Sequence, residues 1–166
     1  MAQSSFEINE KSTKRVLVAA LRMRGRYSEC CAAFALIASK FAKQVSGKPI
    51  LLHYDAEFHD DDVDCEVCIP IRAGCATEGI GVRELPECPC VALAHRGQYH
   101  DFGQSYARIK EYVQKRGLVV ELPIRHVCLD GPASILGGDS GSILTEIQVP
   151  ITGLAQGFTT RAAQLR

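Results

Sequence analysis

Apolar residues recur every three or four positions in two stretches of the chain, and this spacing predicts two amphipathic helices. The first helix is predicted over residues 28–45 and the second over residues 101–116. Their apolar stripes are Cys30, Phe34, Ile37 and Phe41 in the first, and Phe102, Tyr106, Ile109 and Val113 in the second. Each stripe occupies one face, so we expect each helix to pack on a sheet.

Residues typical of helix ends flank both stretches. Ser28 and Asp101 are predicted N-caps, because short polar side chains accept hydrogen bonds from the first free N–H groups. Gly47 and Pro49 follow the first helix, and Gly117 is predicted to end the second helix in a left-handed conformation.

Four other segments are predicted to be strands, and the second and fourth of them place their apolar residues on one face, as half-buried strands do. They are PILLHYD from Pro49, DCEVCIPI from Asp64, PIRHVCLD from Pro123 and LTEIQVPI from Leu144. Shorter leading strands are predicted over residues 6–8 and 81–85. In the last segment Glu146 points away from the apolar row, and Glu66 holds the equivalent position in the earlier copy.

The order of these elements repeats once. A shift of 72 residues places Arg24-Gly25-Arg26-Tyr27 on Arg96-Gly97-Gln98-Tyr99 and superimposes the two helical stripes. Each half then reads strand, helix, strand, strand. We therefore predict an α+β fold of two pseudo-symmetric βαββ repeats, over about residues 5–72 and 79–152, within one domain of residues 1–152.

Composition excludes several classes of protein. The 166 residues carry 19 basic and 19 acidic side chains without a basic run, which argues against direct contact with nucleic acid. No stretch of 18 apolar residues and no signal-like N-terminal segment is present, so we expect neither membrane insertion nor export, but a cytoplasmic location.

Eight cysteines permit a metal or redox hypothesis. Cys65 and Cys68 form a CxxC spacing beside the acidic residues 60–64, but on a strand these two thiols point to opposite faces. We therefore interpret most cysteines as reduced core residues and predict no metal and no cofactor.

Several motifs together resemble the GyrI-like small-molecule-binding domain family. They are HRGQY at residues 95–99, RHVCLDGP at 125–132 and TEIQVPI at 145–151, with YDAEF at 54–58 and DCEVCIPI at 64–71 in the first half. The resemblance covers residues 5–152 and leaves 153–166 as a tail that we expect to be disordered. It implies a curved antiparallel sheet, two long helices and a central ligand cleft, here as a stand-alone copy.

The resemblance also implies a set of ligand-binding residues. Glu146 matches the family's acidic pocket residue, and Glu66 is its counterpart in the first repeat. A carboxylate among aromatic walls favours hydrophobic cations and other drug-like compounds, to which each aromatic face adds about 0.5–2 kcal/mol of cation–π attraction. The candidate aromatic walls are Tyr27, Tyr54, Phe58, Tyr99 and Phe102.

Two other functions remain open, because members of the family act in different ways. One branch hydrolyses cyclopropane-containing compounds, for which Glu146 and Tyr99 would be the candidate catalytic residues. Other members are effector-binding domains of AraC-type and MerR-type transcription regulators or inhibit DNA gyrase. A regulator or gyrase acted on in trans is therefore a candidate protein partner.

Overall fold

A single antiparallel sheet carries all the other elements of the computed structural model, which describes residues 7–59, 61–98, 101–130 and 143–152. The helices are α1 (Cys30–Phe41) and α2 (Phe102–Arg116). The strands are β1 (Ile8–Ser12), β2 (Val16–Gly25), β3 (Ile50–His53), β4 (Val63–Pro70), β5 (Gly81–Leu85), β6 (Pro89–Arg96), β7 (Val119–Val120), β8 (Ile124–Cys128) and β9 (Leu144–Thr152). The predicted α+β class is confirmed.

The strand order is β1-β6-β9-β8-β3-β4-β2-β5, and the short β7 pairs with the end of β9. The two halves of the chain meet where β3 pairs with β8, with Leu51 opposite His126 and Leu52 opposite Arg125. The first strand of each half pairs with a strand of the other half: β1 pairs with β6, and β5 pairs with β2. The two-fold relation between the halves stays a prediction.

The two faces of the sheet have different environments. The larger core lies between the sheet and the helices, where α1 packs on β2 and β4 and α2 packs on β6. A smaller apolar cluster covers the other face, which we call the open face; its members are Val18, Ala20, Ile50, Leu52, Cys68 and Leu85. Cys65 lies in the helix-side core and Cys68 on the open face, as the strand alternation predicts.

Both predicted helical stripes are buried, apart from the half-buried Tyr106, but the predicted N-caps differ from the observed helix starts. Ser28 lies inside a 3-10 turn, Tyr27–Glu29, and the Glu29 carboxylate accepts the Arg26 N–H at 2.7 Å. A Cβ at Gly25 would meet Glu29 Oε2, so a side chain at this position would displace the Glu29 carboxylate from the turn. Asp101 holds the N-cap position of α2, but its side chain makes no capping hydrogen bond.

The predicted strands lie close to their predicted bounds, with one shift, and three strands that the predicted order lacks are present: β2, β6 and β7. The strand predicted over residues 81–85 is β5 itself, whereas β1 begins at Ile8 instead of ending there. Phe6 and the tail 153–166 lie outside the described residues. Neither described helix is long and apolar enough to cross a membrane.

Exchanging two glycines for alanine, one within α2 and one just after it, tests the end of that helix. Gly117 has φ +64° and its N–H closes the last turn, so Gly117→Ala should lower the free energy of unfolding by about 1 kcal/mol. Gly103 has no positive φ, and nothing lies within 4 Å of the position that an alanine Cβ would take there. Gly103→Ala should therefore raise the free energy of unfolding by roughly 0.4–1 kcal/mol. Urea denaturation of both variants measures the difference, and shifts of equal sign would contradict this account.

Candidate ligand-binding site

The space between the two helices, above the central strands β3 and β8, is filled by aromatic and histidine side chains. Tyr27 enters it from the turn before α1, and Phe102 and Tyr106 enter it from α2. The sheet supplies His53 from β3 and His126 from β8. We call these residues, together with Phe58 of the β3–β4 loop, the aromatic cluster.

His126 lies at the base of the aromatic cluster and connects both helix segments. Its Nδ1 is 2.8 Å from the Tyr27 hydroxyl and its Nε2 is 2.5 Å from the Tyr106 hydroxyl. Burial lowers the pKa of His126 to about 3, so the ring is neutral at physiological pH. A neutral imidazole has one donor and one acceptor, so one tyrosine hydroxyl donates to the ring and the other accepts from it.

His53 presents a hydrogen-bonding atom that the described residues leave unused. Its Nδ1 lies 3.1 Å from the Asp55 carbonyl oxygen, which can only accept, so this nitrogen carries the proton. Its Nε2 is therefore an acceptor, and it is buried without a hydrogen-bond partner among the described residues. Burial also lowers the pKa of His53. A ligand with an N–H or O–H group could satisfy this atom.

Phe58 closes the aromatic cluster from above. Its ring centroid lies 6.1 Å from that of Tyr27 and 5.5 Å from those of Phe102 and Tyr106. It also stacks on His53 at 6.3 Å. These contacts are typical of aromatic pairs, yet Phe58 is only half-buried and comes from a loop. Its ring therefore occupies a position that solvent can reach.

A small hollow lies beside the cluster, under α1. It has a volume of about 20 Å³, enough for one water-sized group, and its walls include His126, Thr145 and Cys128. Nearby, the thiols of Cys30 and Cys65 lie 3.7 Å apart, and this contact together with burial raises the pKa of Cys30. Within the described ranges, no three histidine, cysteine or acidic side chains are grouped to hold a metal ion.

The two predicted pocket carboxylates lie on the open face, on the opposite side of the sheet from the aromatic cluster. Glu146 forms an ion pair with Lys11 at 2.5 Å and accepts a hydrogen bond from Gln148 at 2.5 Å. Glu66 forms an ion pair with Arg83, and the same guanidinium donates to the Tyr54 hydroxyl at 3.4 Å. Each carboxylate thus has a cationic neighbour from this chain.

The predicted site residues are therefore divided between two faces. Tyr27, Phe58 and Phe102 meet in the aromatic cluster, whereas Tyr54 and Glu66 meet on the open face and Glu146 lies three strands away from Glu66. Tyr99 lies outside the described residues. The roles of these residues in binding stay predictions.

Sequence reasoning missed His126, His53 and Tyr106 as members of a site. The pattern predicts Tyr106 to pack between helix and sheet and His126 to be structural, because a single histidine or tyrosine in an amphipathic pattern is most often a packing residue. The signal that could have found them is alternation, since residues 124, 126 and 128 share the helix side of β8. Tyr112 of α2 donates a hydrogen bond to the Glu10 carboxylate of β1 at 2.8 Å.

The neutral, buried histidines make stability depend on pH in a defined direction. Because the folded pKa of His126 is far below its unfolded value near 6.5, its contribution is complete above pH 6.5 and is lost as the pH falls toward 3. Between pH 7 and 5.5 the unfolding free energy should fall, and His126→Gln should reduce the slope by up to about 1.4 kcal/mol per pH unit. Tyr27→Phe, which keeps the imidazole, should lower stability at every pH without changing the slope. Equal slopes for His126→Gln and the native protein in urea titrations would contradict the neutral buried ring.

Structural comparison finds the same fold in several solved proteins. The C-terminal domain of EcmrR matches with a TM-score of 0.79 at 20% identity, covering 89% of this chain and 98% of that one. In the EcmrR–DNA complex the TM-score is 0.78 at 21% identity; the match covers 88% of this chain but only 57% of the EcmrR chain.

Two further structures have the fold at lower identity. A hydrolase from Listeria innocua matches with a TM-score of 0.63 at 10% identity, covering 91% of this chain and 94% of the other. SAV2435, solved bound to tetraphenylphosphonium, matches with a TM-score of 0.61 at 13% identity, covering 92% and 98%. At these identities the likeness establishes the fold alone.

Sequence comparison assigns the family directly. No curated protein sequence matches the chain significantly. The family model of the GyrI-like small molecule binding domain matches residues 5–152, nearly the whole chain. The resemblance in the repeated motifs is thereby confirmed, and the chain belongs to the GyrI-like small-molecule-binding domain family.

Proposed function

We propose that this protein binds lipophilic aromatic small molecules, cations among them, in the space between α1 and α2. The observation that carries the proposal is the position of Phe58, whose ring lies among Tyr27, Phe102 and Tyr106. A ligand ring that replaced Phe58 would meet the same aromatic surfaces. The half-buried loop position makes that exchange less costly than displacing a core residue.

The chemistry of the cluster favours apolar and cationic ligands over anions. Burial lowers the pKa values of His53, His95 and His126, so no imidazolium charge opposes a cation there at neutral pH. Each aromatic face attracts a cation by about 0.5–2 kcal/mol, with the larger values where water is excluded. The free Nε2 of His53 adds an acceptor for a ligand N–H or O–H group.

The volume of the site requires movement on binding. With Phe58 in place, the adjoining hollow of about 20 Å³ holds no more than a water-sized group. A drug-sized ligand needs about 300–1,000 Å³. Binding therefore exchanges the Phe58 ring for the ligand, and the strands and helices below keep their packing.

Related proteins support this choice of ligand. The chain belongs to a family of small-molecule-binding domains, and SAV2435, which has the same fold, has been solved with the lipophilic cation tetraphenylphosphonium. That compound has four phenyl rings around a delocalised positive charge. It is therefore a suitable first probe for an aromatic site.

The geometry supports the hydrolase hypothesis less well than it supports ligand binding. It needs a carboxylate and a phenol at one reacting centre. The hydroxyls of Tyr27 and Tyr106 are hydrogen-bonded to His126, and Glu146 lies on the other face of the sheet. The pair Glu146 and Tyr99 stays a hypothesis, since Tyr99 is outside the described residues. A regulator or gyrase as a protein partner likewise stays a hypothesis.

A single tryptophan can report on the proposed site, because the chain has none of its own. In Phe58→Trp, tetraphenylphosphonium should shift the emission maximum to longer wavelength as the indole leaves the aromatic cluster. The midpoint should match the dissociation constant that calorimetry gives for the native protein. In the control Leu36→Trp, on the exposed side of α1, emission should stay unchanged. Calorimetric binding without a response at residue 58 would place the ligand elsewhere, and no binding at all would contradict the proposal.

Neutralising the open-face carboxylates tests whether they select the cation. Because Glu146 is paired with Lys11 and faces away from the aromatic cluster, Glu146→Gln should change the affinity for tetraphenylphosphonium by less than about twofold at equal ionic strength. Glu66→Gln should behave in the same way. A loss of tenfold or more in either variant would instead assign cation binding to the open face.

A further inference from the structure

A second hollow lies on the open face, on the opposite side of the sheet from the aromatic cluster. Its volume is about 250 Å³. Most of its wall is apolar, contributed by Leu52, Leu85, Pro86, Leu122, Pro123 and Pro150. Arg125 of β8 belongs to the same lining, as does Arg83. This hollow therefore combines an apolar wall with two guanidinium groups and one exposed carboxylate, that of Glu121.

The guanidinium of Arg125 has no ion-pair partner in the described part of the chain. The residue is only 6% exposed, and its guanidinium forms no ion pair with a described carboxylate. The two carboxylates on nearby strands are already engaged, Glu66 by Arg83 and Glu146 by Lys11. A guanidinium cannot lose its proton at physiological pH, and a buried charge is costly without a counter-charge. An anion in the hollow would remove this cost.

Arg125 also has a structural role, but that role does not use all of its N–H donors. It donates to the Pro86 carbonyl at 2.8 Å and to the Thr13 hydroxyl at 3.3 Å. These two residues belong to the connections β5–β6 and β1–β2, which are themselves joined by Thr13 N–H to the Cys88 carbonyl at 2.8 Å. A guanidinium has five N–H donors, so two bonds to neutral oxygens satisfy neither its donors nor its charge. The same bonds hold the side chain in one orientation beside the hollow.

Charge and size together define the ligand. A planar carboxylate matches the two-pronged geometry of a guanidinium and binds it more strongly than a neutral acceptor does. The volume of about 250 Å³ lies below the usual range for drug-sized ligands, which excludes bulky molecules. Glu121 is exposed at the lining, and its negative charge disfavours a ligand with a second carboxylate. The fitting molecule is therefore a compact monocarboxylate.

We infer that the open-face hollow is a second binding site, which takes compact monocarboxylates with an apolar body. The carboxylate pairs with Arg125, and the apolar body lies against the leucine and proline side chains. The site is separated from the aromatic cluster by the sheet, so the two can be occupied independently. This inference does not depend on the proposed function, because it concerns other residues and the opposite ligand charge.

Benzoate is the probe, with benzamide as its neutral isostere. Calorimetry or ligand-observed NMR on the full chain should detect benzoate binding that weakens with salt and binding of benzamide at least tenfold weaker. Arg125→Gln should lose benzoate affinity by at least tenfold. Glu121→Gln should bind benzoate roughly two- to threefold more tightly, since an exposed like charge is removed. Glu111→Gln, on α2 at the other face, is the matched control and should leave the affinity unchanged.

The outcomes are distinguishable even where a variant is unstable. If Arg125→Gln fails to fold because the contacts with Thr13 and Pro86 are lost, the Glu121→Gln and benzamide comparisons still decide the question. Two results overturn the inference. One is equal affinity for benzoate and benzamide; the other is no benzoate binding by the native protein at a benzoate concentration 20-fold above a dissociation constant of about 1 mM. Benzoate should also leave the emission of Phe58→Trp unchanged, which separates this site from the aromatic cluster.

Discussion

The pairing of β3 with β8 is the contact on which both candidate sites depend. It joins the two halves of the chain and places His126 opposite Leu51 and Arg125 opposite Leu52. Because side chains alternate along a strand, the adjacent residues Arg125 and His126 point to opposite faces of the sheet. One ladder of backbone hydrogen bonds therefore positions the base of the aromatic cluster and the base of the open-face hollow together.

The two buried basic residues, His126 and Arg125, respond to burial in opposite ways. His126 can release its proton, so burial leaves it neutral and two tyrosine hydroxyls satisfy its ring nitrogens. Arg125 cannot, so its charge persists and only neutral oxygens contact it among the described residues. The difference in intrinsic basicity makes one side of the sheet suitable for lipophilic rings and the other suitable for an anion.

Internal ion pairs account for most other charges on the open face. Arg22 holds Asp64 through two hydrogen bonds at 2.9 and 3.0 Å and also lies over the Tyr54 ring at 3.5 Å. Glu66 and Glu146 have their own cationic partners. Such partly exposed pairs contribute little to stability individually. They nevertheless cancel the fields that the carboxylates would exert, so a carboxylate's presence on a strand does not by itself make a cation site.

The sequence by itself determined both helices, the faces of β4 and β9 and the family, because all three are written in local periodicity and short motifs; it did not predict β2 and β6. It identified the stripe of α1, the strand β5 and the outward direction of Glu146 correctly. Only the tertiary structure decided which side chains meet. Tyr27 and His126 are 99 residues apart, and Lys11 reaches Glu146 because β1 crosses to the other half of the chain. Strand order carries no local periodic signature, since it arises from which edges bury the most apolar surface when the whole chain folds.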